Sequence, residues 1–159
     1  MKKTQKGFTL IEILVVIGII AILAAVVIVA INPSRQFAQA HNSQRQSNVT
    51  AILDAIGQNI ADNKGVFTCS GVTINGTPTD IAKSGVDLRK CLVPTYLPEI
   101  GFDPTTGNNT CVDTTPGDCA GGSPVGSYDT KYMISMTTTN RYVVSASNAE
   151  LGQTISVTR

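Results

Sequence analysis

One stretch limits what this chain can become. From Phe8 to Ile31 the sequence is apolar apart from a single charged residue, Glu12. As a helix this stretch would extend roughly 36 Å, enough to cross a hydrocarbon core with some tilt. Lys2, Lys3 and Lys6 precede it. Basic flanks stay on the cytoplasmic side, so the C-terminal portion is expected across the membrane. Glu12 sits about one helical turn inside the run. A carboxylate at depth costs about 2.5–3.5 kcal/mol on insertion scales and calls for a partner. The segment offers no evident group to pair with it. The nearest cation that processing could supply is a new α-amino group at Phe8, on the same chain or on a neighbour packed beside it.

The residues Lys6-Gly7-Phe8-Thr9-Leu10-Ile11-Glu12, with a short basic leader before them and a long apolar helix after, resemble the prepilin signal of type IV pilins and type II secretion pseudopilins. The resemblance implies cleavage after Gly7 by a prepilin peptidase that also methylates the new Phe8 amine. It further implies that Glu12 pairs with the Phe8 amine of an adjacent subunit as a filament assembles on a platform in the membrane. Residues 1–7 are then a leader to be set aside from fold reasoning. An ordinary secretory signal cut near Ala30 is the competing reading, but its apolar region would normally run only about 7–15 residues.

The chain has 159 residues, and removing the leader and the apolar run leaves enough for one small domain. The overall hydrophobic content of 42% is supplied in large part by the N-terminal run, so the remainder is more polar than that figure implies. Losing Lys2, Lys3 and Lys6 from the 12 basic residues leaves 9 against 11 acidic ones. No basic excess points to nucleic acid.

The spacing predicts an amphipathic helix over 34–63, with Phe37, Ala38, His41, Val49, Ile52, Leu53, Ile56 and Ile60 on one stripe. Gln44, Arg45, Asp54 and Gln58 are assigned to the other faces. Asn32-Pro33 suits a helix start, with Asn32 as cap and Pro33 in the first position. Asn63-Lys64-Gly65 suits a stop. Beyond it, Val66–Cys69 and Val72–Ile74 read as short strands around a Ser70-Gly71 turn, and a short helix is expected within 80–92. Lys131–Thr137 and Arg141–Ser147 read as an antiparallel hairpin, with Thr154–Thr158 as a third strand. The expected class is α+β, pilin-like: a long N-terminal helix against a small C-terminal antiparallel sheet. The expected segments are 1–7 leader, 8–31 membrane and filament-core helix, 32–65 amphipathic helix and 66–159 disulfide-stapled head.

The four cysteines are Cys69, Cys91, Cys111 and Cys119. An even count in a domain outside the cytoplasm favours two disulfides. Of the possible connectivities, Cys69–Cys91 with Cys111–Cys119 is preferred, because the second pair brackets the turn-rich 113–118. No Cys-x-x-Cys occurs and the only histidine, His41, is distant in sequence, which argues against zinc. Asp103, Asp113 and Asp118, with Asn108 and Asn109, crowd one region and are candidate calcium ligands, as in some pseudopilins. Their spacing does not match an EF-hand, and such residues are ordinary in turns. No cofactor is implied. No catalytic constellation emerges, since every triad would have to use His41. The expected function is a structural subunit of a type IV pilus-like filament, first anchored in the cytoplasmic membrane with its head outside. The alternatives are a type II secretion pseudopilin and a membrane-anchored extracytoplasmic binding module.

Overall fold

A computed structural model describes residues 7–30, 32–110 and 127–159. The chain divides into two compact units, Met1–Gln36 and Phe37–Arg159. In the first, helix α1 (Leu10–Ala30) carries apolar residues on every side. Its 19-residue stretch Leu10–Ile28 is long and apolar enough to cross a membrane, and none of it is buried within the chain. A helix that is hydrophobic all round needs surroundings as apolar as itself. Helix α2 (Pro33–Asp62) opens as its sequence predicts. Asn32 Oδ1 accepts from the Arg35 N–H at 3.3 Å and the Ser34 hydroxyl at 2.6 Å, and Pro33, lacking an N–H, stands where none is needed.

In the second unit α2 buries Ala38, Asn42, Arg45, Val49, Ile52, Leu53, Ala55, Ile56 and Asn59. The helix stops where Lys64 and Gly65 turn left-handed, and the Gly65 N–H caps the Ile60 carbonyl at 2.8 Å. The apolar stripe shares one core with Ile81, Leu88, Leu92, Ile100, Tyr132, Ile134 and Val144. Full burial of each aliphatic side chain contributes about 1.5–3 kcal/mol. The stripe's first apolar member behaves otherwise: Phe37 stays exposed.

The sheet is antiparallel throughout. It contains β1 (Thr79–Ala82), β2 (Asn108–Thr110), β3 (Ser127–Met136), β4 (Tyr142–Ala146) and β5 (Ile155–Thr158), with a four-residue helix α3 (Arg89–Leu92) between the first two strands. The order is β1-β3-β4-β5, with β2 also pairing β3. The β3–β4 hairpin and the β5 strand follow the alternation in their sequences. Val144 and Ala146 point inward, and Val143 pairs with Thr158 and Ala146 with Ile155.

Two expectations are corrected. The three-strand meander is part of a five-stranded sheet, because β1 and β2 add to β3 on its other side. The short helix expected within 80–92 forms at Arg89–Leu92, while the start of that stretch belongs to β1. The residues expected as strands at 66–69 and 72–74 are irregular. There the backbone is satisfied by a side chain instead of a ladder: Asn59 accepts from the Thr68 N–H at 2.9 Å and donates to the Thr68 carbonyl at 3.2 Å. The Ser70-Gly71 turn does form, with the Val72 N–H on the Cys69 carbonyl. The Cys69–Cys91 disulfide ties it to α3. Cys111 and Cys119 lie outside the described residues.

Candidate functional site

The start of α1 carries the residues singled out by the sequence. Phe8 and Glu12 are both exposed. Glu12 has a partner that the sequence reading missed. Its Oε2 accepts from the Thr9 N–H at 2.8 Å and the Thr9 hydroxyl at 2.7 Å, while the Glu12 N–H donates back to Thr9 Oγ1 at 3.3 Å. Thr9-Leu10-Ile11-Glu12 is thus a capping box: Ser or Thr at the cap and Glu three residues on satisfy each other's backbone donors. The Thr-x-x-Glu spacing that makes this motif is present in the sequence, so Glu12 has a partner three residues away on its own segment. Both bonds from Thr9 fall on a single oxygen, Oε2. Chemically, the site is a carboxylate held at the mouth of an apolar helix, four residues from the bond that cleavage after Gly7 would open. It can hold a cation and has no means to activate one.

A second polar constellation lies in the Phe37–Arg159 unit. Arg45, expected on a solvated face, is fully buried. Its Nε donates to Asp103 Oδ2 at 2.7 Å, its Nη1 to Glu150 Oε2 at 2.6 Å and Asn42 Oδ1 at 3.0 Å, and its Nη2 to Thr105 Oγ1 at 2.8 Å. His41 Nδ1 lies 3.0 Å from the same Glu150 oxygen. The sequence clue was the stripe itself: Arg45 fills the gap between His41 and Val49 on the 3.6-residue period. Burial pushes the Asp103 carboxyl up. Bonds from Arg45 and from the hydroxyls and N–H groups of Thr105 and Thr106 outweigh that effect and hold it well below the usual carboxylate range. The bond from Arg45 likewise lowers Glu150.

Asp103 reaches this position through a β-bulge. The β1–β3 register shifts between Asp80 and Ala82, and Lys131 adopts a φ of 59°. That distortion turns the Thr130 carbonyl toward the Asp103 N–H, 2.9 Å away. A Cβ at Gly107 would collide with the backbone of Asp103, so the loop closes only with glycine there. Asp103, considered above as a calcium ligand, has its carboxylate committed to Arg45 and to its own loop. The companion candidates Asp113 and Asp118 lie outside the described residues. Among the described residues no group of three or more His, Cys, Asp or Glu side chains is arranged to hold a metal.

No curated protein and no solved structure matches the chain. Residues 2–28 match the family model of the prokaryotic N-terminal methylation motif. The chain therefore carries the prepilin-type signal found on type IV pilins and pseudopilins, and its apolar helix fits membrane anchoring.

Proposed function

We propose that this chain is a structural subunit of a type IV pilus-like filament. It enters the membrane as a precursor, is cleaved after Gly7 and methylated at Phe8 by a prepilin peptidase, and is built into a helical polymer by an assembly platform. The observation that carries the reading is α1 itself, a fully exposed apolar helix with one carboxylate at its start. Lipid covers that helix before assembly, and the same helix of neighbouring copies covers it afterwards. Glu12 sets the register. Cleavage creates a cation at Phe8, and the carboxylate of an adjacent copy neutralises it, which removes the cost of keeping either charge in an apolar interior. Oε2 is already held by Thr9, which leaves Oε1 for the incoming amine.

Placement in a periplasmic pseudopilus of type II secretion is the second reading. It is favoured by one feature: the last cysteine, Cys119, precedes β3, β4 and β5, so no disulfide can staple the C-terminal strands as in many surface pilins. We assign the chain no catalytic role, no cofactor and no nucleic-acid partner. Replacing Glu12 by Ala tests the assembly role. The variant should be cleaved and held in the membrane at normal levels, yet yield no sheared filaments. Normal filament yield from Glu12→Ala would overturn the assembly role of Glu12, and a wild-type chain that gives no filament would leave a membrane-anchored binding module as the better account.

A further inference from the structure

The Phe37–Arg159 unit presents a knob at one end and a hollow at the other. The knob is the turn between β4 and β5, closed by the Gln153 N–H on the Glu150 carbonyl at 3.2 Å. Its two central residues, Leu151 and Gly152, have φ of 57° and 67°. This is the pattern of a type I′ turn, whose first central position ordinarily takes Asn, Asp or Gly. A leucine there holds its backbone in a region that bulky side chains avoid. Burial does not offset this among the described residues, since Leu151 is 48% exposed. Strain of this kind at an exposed apolar residue directs attention to what that residue touches outside its own fold.

The hollow lies at the opposite end of the same strands, where β4 begins and β5 ends. It is a cavity of about 460 Å³ lined by Ile60, Val66, Phe67, Met136 and Tyr142, with Asn140, Arg141 and Arg159 completing its wall, Arg159 being paired with Asp54. Val66 is 65% exposed. Arg141 makes no ion pair among the described residues, and its guanidinium reaches only the Thr158 carbonyl, at 3.4 Å. The two ends are far apart. The turn is bonded to Asn42 on α2, and the hollow borders Ile60. Those two positions stand roughly 27 Å apart along the helix, so a copy cannot fill its own hollow.

We propose that heads of successive copies dock end to end, with the Leu151 turn of one entering the apolar hollow of the next. The ends differ in charge: at the knob the single Arg45 guanidinium binds both Asp103 and Glu150, which leaves one carboxylate in excess, and at the hollow Arg141 makes no ion pair among the described residues. Knob and hollow are different surfaces of one chain, so the contact is heterologous and repeats without closing, as a polymer requires. The inference rests on the filament reading and adds to it a head surface through which copies meet, while the Glu12–Phe8 pairing sets the register of the helices.

The test uses the full-length chain in cells that make its filaments. Leu151→Gly suits the turn, so the head should melt at the same temperature or higher, while filament recovered by shearing falls by about tenfold as an apolar contact is lost at each junction. In parallel, Val66→Cys and Leu151→Cys are combined and treated with a short bismaleimide. A ladder of masses in multiples of the chain, from the double variant and from neither single variant, supports the docking. Wild-type filament yield from Leu151→Gly, no ladder, an equal ladder from a single variant, or a product with a different protein each overturns it. A wild-type chain that gives no filament at all overturns the underlying filament reading instead, and the docking with it.

Discussion

Helices α1 and α2 solve opposite problems. Every described side chain of α1 up to Ile28 is exposed although nearly all are apolar. On α2, which is polar on average, an arginine is fully buried. The apolar helix has none of its Leu10–Ile28 stretch buried among the described residues, and a helix apolar all round calls for apolar surroundings. The buried arginine has every partner it needs within the chain, from Asn42, Asp103, Thr105 and Glu150. Burial alone therefore does not mark function here. The residues that remain unsatisfied within one copy are those available to act between copies.

That contrast can be broken first at Arg45. With the side chains of Arg45 and Asp103 both fully buried, Arg45→Ala leaves an uncompensated carboxylate inside the head. Stability of the Phe37–Arg159 unit should fall by about 3–5 kcal/mol, read as a drop in melting temperature. Removing both charges, Arg45→Met with Asp103→Asn, should recover part of that loss, because Asn keeps an acceptor for the Thr105 and Thr106 N–H groups. Equal losses in the single and double variants would show that the ion pair does not organise this region.

A milder probe is acid. Asp103 is depressed in the folded head, so its contribution is fully present above its unfolded value of 3.8. It is lost only as pH falls through the lower folded value. Glu150 is shifted in the same direction. Thermal stability measured from pH 7 down should hold to near pH 4 and decline below it. The Arg45→Ala head should lose this acid-dependent portion, because its carboxylates no longer have the guanidinium that lowers them.

The smallest effect is expected at the other helix. Thr9→Ala removes the cap hydroxyl and should cost about 1 kcal/mol of local helix stability. Faster amide exchange confined to the first turn of α1 is the expected result, with no change in head melting. A shift in head melting would contradict the independence of the two regions.

What was legible in the sequence was written locally. The apolar run, the Asn32-Pro33 start, the Gly65 stop and the Tyr142–Ala146 alternation each depend on neighbours a few residues away. Arg45 was misplaced because its partners lie 58 and 105 residues further on, and a lone arginine on a polar helix gives no sign of them. Strand β1 escaped for a similar reason. Thr79-Asp80-Ile81-Ala82 has little strand propensity, and it is β3, through the bulge at Thr130 and Lys131, that recruits it. The Glu12 cap is local too: Thr9 and Glu12 stand three residues apart and satisfy each other.

The central claim is that α1 leaves the membrane as a processed filament core. Mass spectrometry of the N-terminal peptide, from the sheared cell-surface fraction and separately from membranes, tests it most directly. The account predicts a peptide beginning at Phe8 and one methyl group heavier in the sheared fraction. The same peptide confined to membranes would move the assignment to a pseudopilus. A chain that keeps residues 1–7, or one that begins beyond Ala30, would contradict the account.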